Sequence, residues 1–178
     1  MRIAISGKSG CGNTTVSTMV AEKLGYHLVN FTFRQMAQER GVDFWEFCKM
    51  AEEDDNIDRE LDRRMVEMAY EHENSVLGSR LAIWNMKDAD LKVYLSASDK
   101  VRSLRILKRE GGTLEERMAQ TKARDSHDSA RYKRIYGIDN SDTSAADLVI
   151  DTDDKTPEEI CDIIVQAVEK RLCTKKIK

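Results

Sequence analysis

The chain has 178 residues, room for one hydrophobic core but not for two comfortable domains. Charged residues make up 34% of it, yet the net charge is only −3, so the surface mixes both signs and offers no global basic field to draw in nucleic acid. No apolar run approaches a membrane span, no signal peptide precedes the first strand, and the four cysteines lack CxxC or zinc-site spacing, so a reduced, cytoplasmic, single-domain protein is expected.

The first predicted element is a short buried strand over Met1–Ser6. Gly7-Lys8-Ser9-Gly10-Cys11-Gly12-Asn13-Thr14-Thr15 follows, ahead of a helix in which Val16, Met19, Val20 and Leu24 recur at helical spacing up to Gly25. The glycines let the backbone take φ > 0, so that successive N–H groups converge on an anion, and the helix start adds its positive dipole end. The phosphate-loop pattern G-x-x-x-x-G-K-[ST] fits at Gly7, Gly12 and Thr14, with Asn13 where the lysine belongs. Thr14 is placed to give a hydroxyl to Mg²⁺, whereas Asn13 can donate hydrogen bonds but cannot neutralise phosphate charge. Cys11 has two readings, a thiol made acidic by the helix start or a small filler.

Tyr26–Asn30 reads as a second strand, with His27 as a strand-end residue. Thr32 caps a helix that Gly41 ends, and Asp43 caps another with Phe44, Phe47 and Met50 on one side. Asp54–Glu73 is a long charged helix with Ile57, Leu61, Met65 and Met68 as its buried stripe, its acids and bases read as mostly a solvated face. Strands at 75–78, 91–95 and 147–151 alternate with helices, which predicts a parallel sheet covered on both faces. Pro157, at N1 behind Thr156, opens the last helix, and Lys175-Lys176-Ile177-Lys178 is read as its frayed end rather than a targeting signal.

Arg102, Arg105 and Arg109 recur on one helical face, as do Arg124, Asp128 and Arg131 on the next helix. Between them Glu110-Gly111-Gly112-Thr113 makes a turn, and Thr113 with Glu116 forms a capping box, so the pair is a helical hairpin. Taken alone, these arginines suit a surface network with Glu110, Glu115 and Asp125. Beside a phosphate loop they suit a lid, because a transferring phosphoryl group needs guanidinium donors and exclusion of water.

Further blocks stand in order along the chain: Phe33-Arg34 with Glu39-Arg40-Gly41, Ser79-Arg80-Leu81-Ala82, Ala89 to Leu95, Arg105-Ile106 with Arg109-Glu110-Gly111, Arg124-Asp125, Arg131 to Asp139, and Asp147 to Asp151. With the N-terminal loop they make nearly the whole chain similar to the small cytidylate kinases of the nucleoside-monophosphate kinase group, especially the short archaeal-type form. The resemblance implies an α/β, three-layer P-loop NTPase fold with a five-stranded parallel sheet, helices on both faces and a helical-hairpin lid. It implies monophosphate-binding helices over about 31–73 and a lid over about 102–136 of a single kinase domain. It also implies transfer of the ATP γ-phosphoryl group to CMP or dCMP with Mg²⁺, the loop from Gly7 to Thr15 holding ATP. On the same grounds Arg34 and Arg80 hold the acceptor phosphate, Arg124, Asp128 and Arg131 address its sugar and base, and Arg105 and Arg109 act from the lid. Its partners are then small nucleotides, with no nucleic acid and no membrane, and the protein a monomer or weak homodimer.

The sequence departs from that pattern at Asn13, and at Gly78, where an acidic residue usually precedes the glycine and arginine. One cation and one metal-side anion are therefore missing. This leaves open a kinase for another small acceptor, or a nucleotide-binding regulator that has lost turnover. Lys8, the only lysine inside the loop, is the candidate substitute for the absent charge, as the extra lysine of deviant P-loop ATPases suggests.

Overall fold

A computed structural model describes residues 1–176. Five strands, β1 (Arg2–Gly7), β2 (His27–Val29), β3 (Ser75–Gly78), β4 (Leu91–Ser96) and β5 (Leu148–Asp151), form one parallel sheet in the order β2-β3-β1-β4-β5. The first strand written is thus the central one. Its alternation sorts the core into two layers. Ile3 and Ile5 face α1 (Asn13–Leu24) and α8 (Pro157–Lys176), together with Val76, Val93, Leu95 and Ile150. Ala4, Leu77 and Tyr94 face the opposite layer, where α3 (Phe44–Glu53), α4 (Asp55–Tyr70) and α5 (Ala82–Asn85) contribute Phe47, Leu61, Met65 and Ile83.

The predicted caps are in place. Thr32 and Thr113 each close a capping box, at the starts of α2 (Phe33–Glu39) and α7 (Leu114–Tyr136), and Asp43 accepts from the N–H groups of Trp45 and Glu46. The second strand is shorter than its apolar run suggests, because the Tyr26 N–H is taken by the Ala21 carbonyl in the turn that ends α1 at Gly25. The final helix runs to Lys176, and Ile177 and Lys178 of the expected frayed end lie outside the described residues.

The long charged helix α4 needs a correction. Its acids are not all on a solvated face: Asp58 is 5% exposed and Asp62 is half-buried, because they share a face with Leu61 and Met65 and point toward a cavity rather than water.

Candidate active site

The carboxyl ends of β1 and β3 meet where the order of the sheet reverses, the position at which open parallel sheets bind ligands. The glycine-rich loop leaves β1 there. Gly10 (φ 84°) and Gly12 (φ 100°) take left-handed conformations, and a Cβ on Gly10 would lie 2.9 Å from the Arg102 backbone oxygen. Gly12 is the N-cap of α1 and supplies no side-chain acceptor, so the first-turn N–H groups are left for an anion. The loop lines a cavity of about 630 Å³ with Arg105 and Arg109 of α6 (Asp99–Glu110) and with Lys155 and Pro157.

The position of the absent lysine is occupied by a brace. Asn13 Nδ2 donates to the Gly7 carbonyl at 2.6 Å, and its buried Oδ1 has no partner among the described residues. Lys8 lines the same cavity, with Nζ 3.9 Å from Asp125 Oδ2 on α7. At the second departure, a Cβ on Gly78 would come within 2.2 Å of Ser17 Oγ, so α1 approaches β3 too closely for any side chain there. Cys11 is the filler of its two readings: it is 2% exposed, and burial pushes its thiol up despite the pull of Arg102.

Of the hairpin arginines, the three on α6 diverge. Arg102 is 1% exposed and locked between Asp99, Asp125 and the Ser9 carbonyl, so it belongs to the body of the protein and not to a movable face. Arg105 donates to the Gly10 carbonyl at 3.3 Å and to Thr152, with no carboxylate partner among the described residues. Arg109 is exposed at the cavity rim and pairs with Glu110, as the network reading had it.

A second cavity, of about 460 Å³, lies between α2–α4 and α7. Arg80, Arg124, Asp128 and Arg131 all line it. Arg80 pairs with Asp128, whose other oxygen lies 3.9 Å from Arg131, and Arg131 reaches Asp58 at 3.4 Å. Arg124 has no ion pair among the described residues. Arg124 is exposed at the cavity rim, and its partial desolvation and then the charge of Arg80 pull its pKa down against the weaker pull of Glu110. Arg34 is not in the wall: it is exposed and stacks 4.1 Å over Phe44, which does line the cavity.

The two cavities share four residues, Thr14, Gly78, Ser79 and Arg80. Ser79, to which sequence reasoning gave no role, carries a buried hydroxyl with no partner among the described residues. Asp58 and Asp62 were missed as well, although their spacing with Leu61 and Met65 was a signal that could have found them. For Mg²⁺ the donor set is sparse. Among the described residues no carboxylate lines the loop cavity, so its exposed hydroxyls are those of Thr14 and the neighbouring Thr15, and Thr14 would hold the ion with phosphate oxygens and water completing the shell.

The sequence profile of the cytidylate kinase-like family matches residues 2–154. Cytidylate kinase 2 of Borreliella afzelii is 45% identical over 175 residues, covering 96% of this chain and 98% of that protein. A cytidylate kinase of Pyrococcus furiosus is 43% identical, covering 94% and 88%. In structure the chain is similar to shikimate kinase from Bacteroides thetaiotaomicron, with a TM-score of 0.64, 19% identity and coverage of 95% and 98%. The likeness in structure carries the P-loop kinase fold, and the identity over nearly the full length carries more: this chain belongs to the cytidylate kinase-like family.

Proposed function

We propose that this protein transfers the γ-phosphoryl group of ATP to CMP or dCMP. The observation that carries this reading is the wall shared by the phosphate-loop cavity and the arginine-lined cavity, because in-line transfer needs donor and acceptor phosphates to meet across one short partition. ATP occupies the first cavity, its phosphates against the N–H groups of Gly10 to Thr15 and its base toward Arg109 and Pro157. The acceptor monophosphate enters the second, where Arg124 supplies an unneutralised guanidinium, Arg34 guards the rim, and Asp128 and Arg131 address sugar and base. Arg80, in the shared wall, holds the acceptor phosphate and stabilises the charge that spreads over the transferring group. Mg²⁺, held through Thr14, would neutralise the β- and γ-phosphates. Lys8 and Arg105 supply the remaining positive charge that Asn13 does not. Residues of about 31–73 close over the acceptor and the hairpin over the donor, in a single domain that works as a cytoplasmic monomer or weak homodimer without nucleic acid or membrane.

The test is a panel of acceptors with ATP and Mg²⁺: CMP and dCMP are expected to turn over fastest, and Arg80→Ala to lower kcat/KM by at least about a hundredfold. Faster turnover of a non-cytosine acceptor would overturn the assignment. One observation favours a binding-only protein: Asn13, itself uncharged, commits its amide donor to the Gly7 carbonyl instead of turning it to a phosphate. Multiple turnover by purified protein, lost in Arg80→Ala, excludes it.

A further inference from the structure

A third cavity, of about 640 Å³, is an open groove between α4, the end of α5 and the end of α7. The phosphate loop takes no part in it. Two half-buried aromatic residues, Trp84 and Tyr136, line the groove. Each ring is fixed by a neighbour: Trp84 makes an edge contact with Tyr94, and the Tyr136 hydroxyl donates to Asp62 at 2.5 Å. Rings held in this way lose little freedom when a flat ligand stacks on them.

Three cations line the same groove, and two of them are uncommitted. Arg63 is paired with both oxygens of Glu67. Arg59 lies 5.5 Å over the Tyr136 ring and donates to the Ile135 carbonyl at 2.7 Å, but has no ion pair among the described residues. Lys87, which is exposed, has none among them either. Aromatic platforms flanked by unneutralised positive charge are complementary to a planar ring that carries an anion. The groove is as large as the 630 Å³ cavity of the phosphate loop, so its size suits a nucleotide rather than a small inorganic ion.

Asp62 is the one described residue that lines both this groove and the acceptor cavity. Around it α4 is tied to the end of α7 three times, by Asp55 with Arg134 at 2.6 Å, by Arg59 on the Ile135 carbonyl, and by Asp62 with Tyr136. The same two helices are facing walls of the acceptor cavity. A ligand that bridges Arg59, Lys87 and Tyr136 therefore braces the seam between those walls.

We propose that the groove is a second nucleotide site: it takes a nucleoside phosphate with the ring against Trp84 and Tyr136 and the phosphates on Arg59 and Lys87, and Asp62 couples it to the acceptor cavity. The site itself stands apart from the cytidylate reading, because neither of the other two cavities includes Trp84 or Lys87. Only the coupling rests on that reading. Its sign is positive, since walls already braced need less ordering when the acceptor binds.

The fluorescence of Trp84 tests the site. Trp45→Phe removes the only other tryptophan, which is 71% exposed on α3. CTP, UTP and inorganic tripolyphosphate are titrated into that chain and into Lys87→Glu in the same background. Saturable quenching by CTP and UTP is expected, weakened at least about tenfold by Lys87→Glu. Saturating CTP is expected to lower the KM for CMP at least about threefold in the native protein and to leave it unchanged in Lys87→Glu. Absence of saturable quenching, or equal affinity in Lys87→Glu, overturns the site. Tripolyphosphate binding as tightly as CTP overturns the role of the rings. A KM that stays constant or rises overturns the coupling. If CMP is not turned over at all, the cytidylate reading falls and the quenching still decides the site.

Discussion

Asn13 and Gly78 lie on facing elements, α1 and β3, but what bars a side chain at Gly78 is Ser17 and not Asn13. A Cβ on Gly78 would meet Ser17 Oγ at 2.2 Å and Ser17 Cβ at 2.7 Å, in a wall with no spare volume. Gly78→Ala should therefore lose about 1–3 kcal/mol in urea unfolding, and Ser17→Gly in the same chain should return part of it. For the missing cation, Lys8→Ala should lower kcat/KM at least about tenfold, roughly 1.4 kcal/mol of transition-state stabilisation. Adding Asn13→Lys should recover part of that loss, because two groups serving one charge are non-additive. An unchanged kcat/KM in Lys8→Ala would leave the charge to Arg105, Arg80 and the loop backbone. Both departures could be read from the sequence, which shows what is absent. That Ser17 fills the space at Gly78 could not, since it depends on how closely two elements far apart in the chain, α1 and β3, pack.

The hairpin of α6 and α7 is tied more firmly at one end than its sequence suggests. Arg102 and Arg105 fasten α6 to the Ser9 and Gly10 carbonyls, so the phosphate loop and α6 move as one piece. Arg102→Ala would strip Asp125 of its main partner and empty a fully buried site, with an expected cost of about 3–5 kcal/mol measured by denaturant unfolding. Motion is left to the far turn, where Gly111 and Gly112 have φ of 73° and 91° and Arg117 Nε holds the Gly111 carbonyl at 2.8 Å. Hydrogen exchange should show nucleotide-dependent protection over residues 110–126 and nearly constant protection over the first two turns of α6. Equal exchange across the hairpin with and without nucleotide would remove the lid role. Capping boxes, helix periods and the Gly-Gly turn were all legible here, because each is a local pattern. Which way the stripe of Arg102, Arg105 and Arg109 faces was not, since a run of arginines at helical spacing has the same period whether it meets solvent, a nucleotide or a buried carboxylate.

Across the whole molecule, one carboxyl makes stability depend on pH near neutrality: Asp62 is raised from 3.8 to about 6, chiefly by burial, with the Tyr136 hydrogen bond opposing. The folded protein therefore binds a proton that the unfolded chain has already released, and this contribution to stability, complete below about pH 4, is lost as pH rises through about 6. Asp62→Asn should stabilise the protein at pH 7.5 by on the order of 1 kcal/mol and give no gain at pH 4, by urea melts at each pH. The sheet, its five strands and its two faces were legible from alternating apolar runs, but the strand order was not, because period reveals strands and not their neighbours. That order has a temporal consequence. β1 is made first, yet its partners are residues 75–78 and 91–96, so at about 5–20 residues per second the apolar run Ile3-Ala4-Ile5 has no mate for roughly 4–15 s of synthesis. The nascent chain then carries its most buried strand as an exposed, sticky end. A ribosome-bound fragment stopped before residue 91 has only one side of that strand to pair, and it should be a client for chaperones and unable to grip ATP.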